Sequence, residues 1–109
     1  MYDFDFEFDL TRFKNVEAFE SILKKYNLTE YVRLKQNFGA GDIHEFIWKN
    51  DKLKLKTSNN PITGEHSSGF RELEKGYASY IEISGDEKQV ELVKKDIRIN
   101  AEYIKGEKE

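Results

Sequence analysis

The chain contains no cysteine, so disulfide frameworks, thiolate metal sites and cysteine nucleophiles are excluded from the start. It has only two histidines, His44 and His66, and a single proline, Pro61. No apolar run approaches the length of a membrane span, and the acidic, aromatic beginning is unlike a signal peptide. Positive charge is not in excess either. A net charge of -3 and a pI near 5.5 argue against general nucleic-acid binding and leave only a local basic patch as a route to it. The expectation is a cytoplasmic chain without membrane association and without a nucleic-acid partner.

What is present is charge and aromatic side chains. Charged residues make up 36% of the chain, yet hydrophobic ones still reach 38%, which is too apolar for a disordered segment. Eight Phe, six Tyr and one Trp point to an aromatic-rich core. A length of 109 residues suits one domain with one core. Residues 1–105 are expected to form it, with 106–109 as a charged C-terminal tail.

The most regular stretch is Tyr2 to Leu10, in which Tyr2, Phe4, Phe6, Phe8 and Leu10 alternate with Asp3, Asp5, Glu7 and Asp9. Strand side chains alternate between faces, so this spacing predicts a strand with one aromatic and one acidic face. A helix would scatter both sets around its axis. Lys52-Leu53-Lys54-Leu55-Lys56 has the same alternation with the opposite sign. If the two strands are neighbours, the acidic row lies beside the lysine row, as a charge-matched, solvated sheet face. Exposed cross-strand pairs contribute roughly 0.2–1 kcal/mol each, so their larger effect is on register.

Between these strands, Asn15 is an N-cap candidate, and Val16, Phe19, Ile22, Leu23 and Tyr26 recur at helical spacing. A helix over 15–26 is predicted, closed by Asn27 in a left-handed conformation. Residues 30–36 carry an alternating strand signal. Gly39-Ala40-Gly41-Asp42 reads as a turn, since no capped amphipathic helix follows it to make a phosphate cradle. Residues 43–49 and 52–57 predict a hairpin about Asn50-Asp51, pairing Trp48 with Leu53, Phe46 with Leu55 and Glu45 with Lys56. Tyr77 to Ser84 predicts a further strand. A long helix over roughly 86–104 follows, capped by Ser84 with Glu87 or by Asp86 with Gln89. The resulting fold class is α+β: a mainly antiparallel sheet of four to five strands with two helices on one face, ferredoxin-like or a variant of it.

The irregular stretch from Ser58 to Gly76 is where a site is most expected, because long unpatterned loops in compact domains usually carry function. It holds His66 beside Glu65, Ser67 and Ser68, followed by Arg71. A histidine among hydroxyls is raw material for general-base or nucleophilic work, but no third group is specified. His66, Arg71, Ser67, Ser68 and His44 are therefore ligand-binding candidates, for a small anionic ligand at the 58–76 loop. No catalytic residue, metal site or cofactor is assigned. His44, on the Phe46 and Trp48 side of its strand, reads foremost as a core-edge histidine. The functional expectation is a non-enzymatic binding or regulatory module acting as a homo-oligomer. The alternative is a small-ligand-binding protein or small enzyme with its site at residues 58–76.

Overall fold

The structure, a computed structural model, describes residues 4–37, 41–65 and 74–108, with the backbone alone for residues 4, 32–37, 41–45 and 107–108. The elements in order are β1 Phe4–Phe13, α1 Val16–Lys25, β2 Thr29–Asn37, β3 Gly41–Lys49 and β4 Leu53–Thr57. They continue with β5 Tyr77–Ala78, β6 Ile81–Gly85, α2 Glu87–Asn100 and β7 Ala101–Lys108. The strands form one seven-stranded sheet in the order β2-β3-β4-β6-β1-β5, and β7 also pairs with β1. Every described pairing is antiparallel.

Helix α1 starts where its cap is. Asn15 Oδ1 accepts the Ala18 N–H at 2.8 Å, satisfying one of the free donors of the first turn. It buries Ala18, Phe19, Ile22 and Leu23, and Asn27 leaves the helix at φ 52° as expected. For α2, the second of the two capping options is the one adopted: Asp86 Oδ2 accepts the Gln89 N–H at 3.2 Å. Both helices lie on the aromatic face of the sheet. The Phe19 ring meets Trp48 edge-on at 5.2 Å, and the Lys94 ammonium sits 3.8 Å from the centre of the Phe6 ring.

The core is built as rows that cross the sheet. Phe6 stands opposite Ile83, Ile83 opposite Leu55, and Leu55 opposite Trp48, and none of the four is more than 3% exposed. A second row runs Phe8–Ile81–Thr57–Phe46. Each fully buried side chain of this size contributes roughly 1.5–3 kcal/mol, so the rows are the main reason the four strands share one face.

Several expectations need correction. The sheet has seven strands rather than four to five. A ferredoxin-like arrangement is not confirmed. The acidic and lysine strands are not neighbours, because β6 lies between β1 and β4. Glu82 therefore stands between Glu7 on one side and Lys56 on the other. The hairpin register is shifted by two residues: Trp48 faces Leu55, Phe46 faces Thr57 and Ile47 faces Lys56. A shift of two preserves the faces, so patterning could not distinguish the two registers. The choice is made by Asn50, whose Oδ1 accepts the N–H groups of Lys52 and Leu53 at 2.7 and 2.8 Å. Its Nδ2 also donates to the Tyr26 carbonyl at 2.6 Å, tying the turn to the end of α1.

The long terminal helix stops at Asn100, earlier than expected, and β7 follows it and pairs with β1 from Phe13 back to Glu7. Residues 106–108, expected as a tail, are thus part of the sheet. Gly106 has φ +68°, and a Cβ there would overlap the Asp9 carboxylate, so this position takes glycine on two grounds. The strand expected at 77–84 is present as β5 and β6. Both lie along β1, with Thr11 opposite Ala78 and Phe8 opposite Ile81, so the interruption at Ser79-Tyr80 does not change the register.

Candidate functional site

Of the five ligand-binding candidates, His66, Ser67, Ser68 and Arg71 lie outside the described residues. His44 lies on β3, opposite Leu34 in the backbone ladder, and its side chain also lies outside the described set. What is described of the 58–76 loop is its two ends, and they are built from buried amide groups. Asn59 is 0% exposed. Its Oδ1 accepts the Ser79 N–H at 2.9 Å and the Ser79 hydroxyl at 3.2 Å, while its Nδ2 donates to the Tyr77 carbonyl at 2.6 Å. One side chain thus bonds to the backbone on both sides of Ala78, just where the line of β5 and β6 is interrupted. A buried backbone group left without a partner is costly, and Asn59 supplies two at once.

Asn60 does the same within the loop. Its Oδ1 accepts the Ile62 N–H at 2.9 Å, its N–H donates to the Glu65 carbonyl at 2.8 Å, and its carbonyl accepts the Gly64 N–H at 2.7 Å. The other end is held by Gly76, whose N–H donates to the Pro61 carbonyl and whose carbonyl accepts from Phe13, at 2.7 and 2.8 Å. Arg12 Nη1 donates to both carboxylate oxygens of Glu74, each at 2.9 Å, and the guanidinium lies 5.9 Å from the Tyr77 ring centre. The loop ends form a fixed frame on the end of β1.

A second feature is the hairpin of β2 and β3. These strands pair over nine positions, from Thr29 opposite Lys49 to Asn37 opposite Gly41, whereas β3 pairs with β4 over four. Residues 41–45 extend the hairpin beyond the β4 ladder by roughly 17 Å at about 3.4 Å per residue. Among the described residues, no third strand pairs with this arm. At its base is an open groove of about 720 Å³ between Asn27, Glu30, Tyr31, Lys49 and Asp51. Tyr31 is half-exposed there, with the Lys49 ammonium 4.9 Å from its ring centre.

The third feature is the sheet face turned away from the helices. Its rows read Glu7–Glu82–Lys56–Ile47–Tyr31 and Asp5–Ser84–Lys54–Lys49–Thr29 across β1, β6, β4, β3 and β2. The Tyr80 hydroxyl donates to Glu82 at 3.4 Å, and burial, then the nearby Glu7, then Glu82 raise its pKa above the ordinary phenol value. On the helical side, Tyr26 donates its hydroxyl to Asp96, and the Lys25 ammonium is 3.0 Å from the same carboxylate. Burial and that hydrogen bond raise the Tyr26 pKa. Burial acts to raise Asp96 as well, but the bonds from Tyr26 and Lys25 outweigh it and hold the carboxyl below its usual range.

Among the described residues, no group of three His, Asp or Glu side chains is placed to hold a metal ion. Among the described residues, no helix is long and apolar enough to cross a membrane. The structural roles of Asn59 and Asn60 were missed in the sequence; the signal available was the Asn59-Asn60-Pro61 run itself, since Asn side chains mimic backbone groups in turns. Comparison with protein-family models, with curated proteins and with solved structures found no match for this chain.

Proposed function

We propose that this chain is a non-enzymatic binding or regulatory module that acts as a homo-oligomer. The observation that carries the reading is the β2–β3 arm, with nine ladder positions on one side of β3 and four on the other. A two-stranded hairpin on its own is marginally stable in water, and open strand edges are templates for pairing with another chain. Strand addition to such an edge is an established mode of polypeptide recognition. A cytoplasmic location is part of the proposal and rests on composition: a charged chain without cysteine. The ferredoxin-like idea retains support in one unit, β6–α2–β7, whose two strands flank β1 and are both antiparallel to it.

The second reading is a small-ligand-binding protein or small enzyme with its site at the 58–76 loop, using His66, Arg71, Ser67, Ser68 and His44 toward an anion. The frame of Asn59, Asn60 and Gly76 favours it, because rigid anchors are what a binding loop needs. Native mass spectrometry on protein purified without chelator separates the two. A dimer or higher oligomer of bare mass is expected. A monomer carrying added mass would overturn the module reading in favour of the loop site.

A further inference from the structure

Among the side chains described on β1, β6, β4 and β3, the outer face is sorted by charge, strand by strand, while the backbone ladder of β7 places Lys108 opposite Glu7. The carboxylates of Asp5 and Glu7 on β1 and of Glu82 on β6 occupy one half of it. The ammonium groups of Lys54 and Lys56 on β4 and of Lys49 on β3 occupy the other. The boundary runs between β6 and β4, along the strand direction. Asp5 and Lys49 are exposed, and Glu7, Glu82, Lys54 and Lys56 are each partly exposed, so all six reach solvent. Neither helix covers this face, since both pack on the Phe6 and Trp48 side.

We infer that this face is the interface between two copies of the chain, stacked sheet on sheet. The inference rests on the homo-oligomer reading above and adds a second surface to it, the sheet face, beside the open edge of the β2–β3 arm that carries that reading. A two-fold axis parallel to the strands, lying over the boundary between β6 and β4, turns each copy's acidic half onto the other's basic half. Every carboxylate row then meets a lysine row twice, once on each side of the axis. Sheets packed this way keep their strands within about 30° of each other, which the twist of each sheet accommodates.

Charge complementarity selects this occupant over others. A polyanion would be attracted by the lysine half and repelled by the carboxylate half, and a polycation the reverse. A second copy carries the same two sets of described side chains in opposite order, so symmetry sets carboxylates against lysines on both sides of the axis. Like charges brought face to face are penalised, so the pattern also fixes the orientation of the pair.

The test uses the full chain and two double variants, Lys54→Glu with Lys56→Glu and Asp5→Lys with Glu7→Lys. Mass is read by native spectrometry and light scattering, with cooperative melting as the check on folding. The wild type should dimerise and should weaken about tenfold or more on going from about 0.1 M to about 1 M salt, as the screening length drops from about 10 to about 3 Å. Each variant alone should be monomeric, since like charges then face each other across the axis, with Lys49 the remaining lysine of the first face and Glu82 the remaining carboxylate of the second. Mixed in equal amounts, they should form a heterodimer. If charge reversal prevents either variant from melting cooperatively, Lys54→Gln with Lys56→Gln replaces it, and the dimer should still be lost. A wild-type dimer that survives both variants overturns the inference and leaves the homo-oligomer standing on another surface. A wild type that is monomeric at low salt and high concentration overturns both.

Discussion

Gly85 packs against Lys52 so closely that a Cβ at position 85 would overlap the Lys52 carbonyl oxygen. The same oxygen accepts the Asp86 N–H at 2.9 Å, so the turn between β3 and β4 and the cap of α2 meet at one point. Gly85 also has φ +141°, a conformation that residues with a side chain rarely adopt. Gly85→Ala should cost about 2–4 kcal/mol, combining backbone strain with displacement of Lys52. A urea titration reads this as a lowered midpoint at unchanged slope; an unchanged midpoint would contradict the close approach.

Asn59 should be the most sensitive polar residue among those described. Asn59→Ala removes the partners of the Ser79 N–H and the Tyr77 carbonyl while leaving both groups in place. Each unsatisfied buried group costs about 1–3 kcal/mol. Loss of about 2–5 kcal/mol is expected, with faster amide exchange at Ser79. Exchange that stays slow at Ser79 would show that another acceptor takes over.

The Tyr26–Asp96 pair makes stability depend on pH at both ends. Tyr26 is held neutral in the folded state, so its contribution is complete below the ordinary phenol value of 10.0 and is lost as pH rises beyond it. Asp96 is held ionised, so its contribution is complete above the ordinary carboxyl value of 3.8 and is lost as pH falls through its lowered folded value. Tyr26→Phe should reduce stability at neutral pH by about 1.5–3 kcal/mol, the range for a hydrogen bond to a charged group. It should also flatten the alkaline decline, leaving the part due to Tyr80. Denaturant midpoints across pH give the result; an alkaline limb identical to the wild type's would count against this role for Tyr26.

Phe6→Asp tests the architecture as a whole. Phe6 is 3% exposed at the end of the Phe6–Ile83–Leu55–Trp48 row, and α2 covers it through Lys94. A carboxylate there loses the ring's burial and lies in the apolar row, although Lys94 is close enough to soften the penalty. The domain should lose cooperative melting or lose more than about 3 kcal/mol, at the upper end of core substitutions. Wild-type-like melting would contradict the central position of β1.

Much of this molecule was legible because short-range patterns are physically self-sufficient. The alternation of Phe6 and Phe8 with Asp5 and Glu7 needs only the two-residue period of a strand. Asn15, Asn27 and Asp86 mark helix ends through bonds that span three or four residues. The terminal part was misread because Ala101 and Ile104 continue the three- and four-residue spacing of Val90, Val93 and Ile97. What ends the helix at Asn100 is the ladder that β1 offers to β7. Backbone bonds to a distant strand outweigh a weak local preference, and periodicity cannot report them.

The sequence by itself determined the two faces of each strand, the caps and stripes of both helices, and the separation of acidic from basic residues. Only the tertiary structure decided which strands are neighbours. Placing β6 between β1 and β4 set Glu82 between Glu7 and Lys56, and it turned an expected pair of matched rows into a face divided in half. The reason is that exposed charge pairs contribute roughly 0.2–1 kcal/mol each, while each buried Phe, Ile or Leu of the core rows contributes roughly 1.5–3 kcal/mol. Strand order therefore follows the fit of Phe6, Ile83, Leu55 and Trp48, and the charges take the positions that this packing leaves them.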